Sequence, residues 1–184
     1  MDKVITEAEE RMQGAVEATR REFSRIRSGR ATPALLDKVL ADAYDAKMPV
    51  NQLATISVPE PRLIVVTPWD RKNVPAIERA IMTSDIGLTP VVEGSIIRLP
   101  IPPLTEERRK DLAKHAHKVA EDGRVAIRNV RRDANEKIKR MEKAEHISED
   151  EVHVGQTEIQ EMTDKYIAEL DQAAEQKVEE ILEV

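Results

Sequence analysis

The sequence predicts an α+β protein of two domains, a long antiparallel three-helix bundle into which a small α/β, β-sandwich-like module is inserted. Three observations carry this. All ten prolines of the 184 residues, Pro33 through Pro103, lie in the middle of the chain. Proline lacks an N–H and clashes with the preceding helical turn, so long helices exclude it from their interiors. Both proline-free flanks repeat apolar residues at helical spacing, whereas the middle carries short β-prone runs separated by turn residues.

In the first flank Ile5, Met12, Val16, Thr19, Phe23 and Ile26 recur at steps of three, four or seven and form one stripe. Asp2 is placed to cap its start, and Gly29, preceded by Arg25 and Arg27, suits its end. The middle reads as strands over 38–44, 53–58, 63–67 and 95–99, with turns at Asp45-Ala46-Lys47 and Pro59-Glu60-Pro61. Val74, Ile77, Ala80 and Ile81 fit one short helix ending near Gly87.

After Pro103, Thr105 is expected to cap a second long helix, with Glu106 and Glu107 against the positive end of its dipole. Its apolar seam runs Leu112, Ala116, Val119, Gly123, Ile127, Val130, Ala134, Ile138 and Met141. Forty residues at 1.5 Å each make a rod of about 60 Å. Gly123 costs a helix interior about 1 kcal/mol relative to alanine, and it either lets helices approach closely or marks a bend. Ser148-Glu149-Asp150-Glu151 has capping-box spacing and opens a third helix. That helix has a stripe of Ile159, Met162, Tyr166, Leu170, Ala173 or Ala174, Val178 and Ile181.

The first helix has no partner until residues 105–184 are made. The expected domains are therefore 1–30 plus 105–184 for the bundle and 31–104 for the inserted module. Two short connections join them, Arg30, Ala31, Thr32 and Pro33 on one side and Pro102, Pro103, Leu104 and Thr105 on the other. Paired crossings of this kind permit bending while restricting free tumbling, so the expectation is an L-shaped, hinged molecule.

Composition excludes several function classes. Phe23, Tyr44, Trp69 and Tyr166 are the whole aromatic complement, too few to stack the successive bases of a single strand. The absence of cysteine removes disulfides, thiolate zinc sites and cysteine nucleophiles. No apolar run approaches the roughly 20 residues of a membrane-spanning helix. Met1-Asp2-Lys3-Val4-Ile5-Thr6-Glu7 does not resemble a targeting peptide, which points to a cytoplasmic protein. His115 and His117 are two apart and diverge on a helix, and His146 and His153 have no paired ligand motif, so all four read as solvent-exposed. Gly87 and Gly94 do not build a phosphate loop. No catalytic residue, metal or cofactor is expected.

The net charge of −6 conceals a division, because residues 105–144 hold 13 Lys/Arg against 8 Asp/Glu and residues 145–184 hold 2 against 13. Any polyanion site must be local. Wound at 100° per residue, Lys110, Lys114, Arg124, Arg128, Arg131, Arg132 and Lys139 fall within about 100° of one another, on a face the seam does not use. Asp111, Asp122, Asp133 and Glu136 gather on the other flank. Arginine's planar fork makes two parallel hydrogen bonds to one phosphate, and four arginines within nine residues suit a structured RNA backbone. Arg25, Arg27 and Arg30 extend the supply of cations. The alternatives are a solvated face, or ion pairs with the acidic third helix.

Three stretches carry a resemblance. They are Arg27-Ser28-Gly29-Arg30-Ala31-Thr32-Pro33-Ala34-Leu35-Leu36-Asp37, Pro103-Leu104-Thr105-Glu106-Glu107-Arg108-Arg109-Lys110-Asp111-Leu112, and Arg124-Val125-Ala126-Ile127-Arg128-Asn129-Val130-Arg131-Arg132-Asp133-Ala134-Asn135. Together with Ile147-Ser148-Glu149-Asp150-Glu151, they closely resemble the bacterial ribosome recycling factor family over essentially the whole chain. The resemblance implies a three-helix bundle with an inserted α/β domain, shaped somewhat like a transfer RNA. It also implies a factor that binds the post-termination ribosome and, with elongation factor G and GTP, separates the subunits to release messenger and transfer RNA.

Carried over by matching motif, large-subunit rRNA contacts are expected from Arg128, Arg131 and Arg132, with Arg124, Arg27, Arg30 and Lys110 contributing. The family's hinge corresponds to 30–33 and 102–105. A monomer is expected, with no DNA or membrane partner. The chain departs from the family pattern at Ala43-Tyr44-Asp45-Ala46 and Leu88-Thr89-Pro90-Val91-Val92-Glu93-Gly94. Both departures lie in the inserted domain, which the family presents toward elongation factor G and the small-subunit side. The rival expectation is a non-ribosomal adaptor whose bundle binds a partner's helix while the third helix satisfies the arginines internally.

Overall fold

The computed structural model describes residues 1–145 and 147–183, so His146 lies outside the described residues. Its four α-helices are α1 (Asp2–Arg25), α2 (Val74–Thr83), α3 (Glu106–Glu145) and α4 (Glu149–Leu182). The chain divides into two compact units, Met1–Ser28 with Thr105–Val184, and Gly29–Leu104.

The first unit is built from α1, α3 and α4. Their stripes merge into one core whose fully buried members include Met12, Ile127, Ile138, Ile159, Leu170 and Ile181. On α3 the buried stripe is wider than the expected seam and takes in Ala113 and Ala120, because this helix packs against both others. Thr105 Oγ1 accepts from the Arg108 N–H at 3.2 Å and caps α3. Ser148 and Glu151 form a reciprocal capping box at the start of α4, with the Glu151 carboxylate accepting from the Ser148 N–H at 2.8 Å.

The ends of α1 differ from expectation. Asp2 does not cap the helix but lies inside its first turn, where its carboxylate still opposes the dipole. The helix stops at Arg25, ahead of Gly29, because Ile26 turns extended at φ −76° and ψ 113° and buries its side chain in the core. At Gly123 the two alternatives resolve to close approach. A Cβ there would stand 2.6 Å from Leu170 Cδ1 and inside contact distance of Thr19 Oγ1. The glycine is where side chains of α1 and α4 reach the α3 backbone.

The second unit holds β1 (Leu40–Ala43), β2 (Ala46–Pro49), β3 (Ala54–Glu60), β4 (Leu63–Pro68), β5 (Val91–Glu93) and β6 (Ile96–Pro100). The first pair is a hairpin, and the rest form an antiparallel sheet in the order β3-β4-β6-β5. The hairpin, the sheet and α2 share one core around Leu36, Ile64, Ile77, Ile81, Ile97 and Leu99.

Two strands, β2 and β5, add to the four expected. The turn between β1 and β2 is Tyr44-Asp45, not Asp45-Ala46-Lys47. Both residues have positive φ, 51° and 60°, which gives the two-residue turn that matches strand twist and pairs Ala43 with Ala46. Helix α2 ends at Thr83, where Ser84 turns extended, and does not run on toward Gly87.

The connections of this unit are tied to one place. The Ala31 N–H donates to the Pro61 carbonyl at 2.7 Å and the Ile101 N–H to the Arg62 carbonyl at 2.8 Å, so both chain ends of the unit hang on the β3–β4 turn. Thr32 Oγ1 caps the short turn Pro33–Leu36 by accepting from the Ala34 N–H at 3.1 Å.

Candidate nucleic-acid interface

Helix α3 places the expected cations on its outward face, and the folded chain sorts them into two kinds. Arg124 is the more buried. Its Nε donates to Asp171 of α4 at 2.7 Å and its Nη1 to Glu121 at 2.9 Å, with the side chain only 25% exposed. The hydrogen bond it donates to Asp171 raises its already high pKa against the opposing effect of burial. Arg128, at 45% exposure, donates Nη1 to the same Glu121 at 3.1 Å. Hydrogen bonds from Arg124 and Arg128 hold the Glu121 carboxyl below the usual carboxylate range. Asp171, Arg124, Glu121 and Arg128 thus form a chain of alternating charge whose sum is zero.

Arg131 and Arg132 are bound differently. Arg131 donates to the side-chain carbonyl of Gln160 on α4 at 3.1 Å, and Gln160 in turn donates to Asp164 at 2.9 Å. Arg132 donates to the Asn129 side chain one turn back on its own helix. Amide oxygens orient a guanidinium without cancelling its charge. Arg132 is exposed and Arg131 half-buried, and among the described residues neither is paired with a carboxylate. Lys114 and Lys139 are exposed on the same face, and Lys110 pairs with Glu106 at 2.7 Å across one exposed turn. Arg27 and Arg30, expected near the cluster, are exposed in the segment after α1.

The opposite flank of α3 serves the bundle. Asp133 accepts from Arg11 of α1 at 2.9 Å, and Lys137 donates to Glu7 at 2.8 Å, holding the Glu7 carboxyl below its usual range. The acids segregated to that flank by helical geometry therefore include a partner for the first helix. His115, His117 and His153 are exposed on helices. Among the described residues no group of three or more His, Cys, Asp or Glu is placed to hold a metal ion, and no helix is long and apolar enough to cross a membrane.

One feature of the second unit escaped the sequence reading. Half of the aromatic complement, Tyr44 and Trp69, lies 66% and 68% exposed. Both hang on one corner: Tyr44 Oη donates to Asp70 at 3.3 Å and accepts from Asn73 at 3.3 Å, while Trp69 Nε1 donates to Thr55 at 2.9 Å. The available signal was the placement of each aromatic beside a turn acid, at Tyr44-Asp45 and Trp69-Asp70.

Comparison with known proteins gives a consistent result. The family described as ribosome recycling factor matches residues 19–182. The ribosome-recycling factor of Carboxydothermus hydrogenoformans is 56% identical over 181 residues, covering 98% of each chain. That of Heliobacterium modesticaldum is 54% identical over the full length of both. A solution structure of a ribosome recycling factor superposes with a TM-score of 0.72 at 45% identity, over 100% of this chain and 97% of the other. A second structure has a TM-score of 0.63 at 46% identity, covering 99% and 98%, and is described as models for the T. thermophilus ribosome recycling factor and the E. coli elongation factor G bound to the E. coli post-termination complex.

Proposed function

The chain belongs to the ribosome recycling factor family, and from that premise we propose that it docks on large-subunit rRNA through the outward face of α3 and, with elongation factor G and GTP, splits the post-termination ribosome in the cytoplasm. The observation that supports this most is the pair Arg131 and Arg132, whose charges are oriented by amides and have no carboxylate partner among the described residues. Two guanidinium groups of uncancelled charge, fixed in direction on a stiff helix, suit capture of phosphate oxygens. The compensated Arg124 acts mainly as a strut between α3 and α4, so its contribution to docking is smaller than its sequence position suggests.

The remaining steps belong to the same reading. GTP hydrolysis is the partner's, and this chain acts without catalytic residues of its own, as a monomer. The exposed Tyr44–Trp69 corner suits a protein-facing surface, and the relative described with elongation factor G supports that partner. The two crossings at 30–33 and 102–105 serve as a hinge, through which a push on the inserted module reaches the long helices. Anchorage of Ala31 and Ile101 on the β3–β4 turn leaves the bending to residues 27–30 and 102–104, so Thr32 and Pro33 of the first crossing move with the inserted module.

The experiment is light scattering of post-termination ribosomes with this protein, elongation factor G and GTP. Loss of scattering on addition of all three is the expected outcome, and an unchanged signal would contradict the reading. Arg132→Ala should weaken large-subunit binding about tenfold, equivalent to about 1.4 kcal/mol, with the fold intact because the side chain is exposed.

A further inference from the structure

Within residues 108–141, Glu121 is the one acid that helical geometry places within about 60° of the centre of the cationic face. The structure shows what it does there: its two carboxylate oxygens take one terminal donor each from Arg124 and Arg128. Arg124 is already secured by Asp171, so Glu121 is not needed to fix it. Arg128 has no other partner among the described residues, and Glu121, seven residues back, draws its fork along the helix axis away from Arg131 and Arg132. The donor so occupied is a terminal Nη1, of the kind a phosphate would use.

Resting on the docking face proposed above, we infer that Glu121 is a built-in competitor for the docking phosphate, holding Arg128 until ribosomal RNA displaces it, so that removing its charge tightens binding to the large subunit. The amides of Gln160 and Asn129 also take one terminal donor each from Arg131 and Arg132, but they leave the guanidinium charge standing. Glu121 offsets the charge of Arg128 as well as occupying its donor, and its own charge sits where the polyanion would arrive. Its 52% exposure and that of Arg128, 45%, leave the pair open to exchange without unfolding a turn. Exposed ion pairs are weak, so exchange lowers affinity without abolishing it. For a factor that must leave the ribosome after acting, that is a useful limit on how tightly it holds.

The test uses the full chain and purified large ribosomal subunits at one fixed salt concentration, comparing wild type with Glu121→Gln, Arg128→Ala and the double variant. Glu121→Gln is expected to bind about two- to fivefold tighter, the scale of an exposed ion pair, and most of that gain should vanish when Arg128 is absent. Unchanged or weaker binding by Glu121→Gln overturns the inference, and so does an undiminished gain in the Arg128→Ala background. Arg132→Ala, measured alongside, separates the two levels. If its binding equals wild type, the docking face itself is wrong and this inference falls with it; if it binds more weakly while Glu121→Gln shows no gain, only the competitor role fails.

Discussion

Gly123 shows how a single residue settles what propensity alone leaves open. Alanine would gain up to about 1 kcal/mol of helix propensity. It would also push a methyl group into Thr19, whose hydroxyl is already fixed on the Ala15 carbonyl at 2.9 Å, and into Leu170. Overpacking of that kind costs about 1–3 kcal/mol. Gly123→Ala should therefore lower the Tm of the bundle, by about 3 °C for a net loss of about 1 kcal/mol; a rise in Tm would mean that Thr19 and Leu170 yield freely. At this scale the arginine stripe was legible because 100° per residue is a property of the helix alone. What each arginine meets was not, because Asp171 and Gln160 lie 47 and 29 residues further along the chain. The distinction between compensated Arg124 and open Arg132 is created only when α4 folds back on α3.

The capped elements were the readable ones. Ser148 and Glu151 stand three apart in front of an apolar stripe, and the capping box forms as that spacing predicts. The strands that escaped notice lack such marks. Tyr44-Asp45 adopts two positive φ values without the Asn-Gly or Asp-Gly signature of its turn, and β5 is a three-residue edge strand exposed along its whole length. Helix α4 also carries a pH prediction. Hydrogen bonds from the Ser148 N–H and hydroxyl hold the Glu151 carboxyl below its usual range. Because the folded-state pKa lies below the unfolded value of about 4.3, its contribution to stability is present above that value and is lost as pH falls through the folded one. Glu151→Gln should accordingly melt lower than wild type at neutral pH and lose less between about pH 5 and pH 3. Parallel Tm–pH curves for the two proteins would show that the carboxylate contributes nothing to the cap.

For the whole molecule, the confinement of every proline to 33–103 made the insertion legible, since a helix that starts the chain and finds its partners after residue 105 requires the rest to be looped out. The division into units falls between Ser28 and Gly29 and between Leu104 and Thr105. Gly29 is left-handed at φ +79°, and a Cβ there would press on Leu104 at 3.0 Å, so the two crossings meet at a residue where any side chain is strained. Gly29→Ala is expected to perturb splitting more than large-subunit binding, because it alters the proposed hinge and leaves the α3 face untouched. Equal losses in both assays would argue against a separate hinge function.

The central claim is that a local cationic face, on a chain of net charge −6, docks by displacing counterions from rRNA phosphates. Titration of large-subunit affinity against salt reads this directly. The expected result is a straight line in log Kd against log salt with a slope of about 2 or steeper, reduced by close to 1 in Arg132→Ala. Affinity that stays flat across the titration would contradict the account.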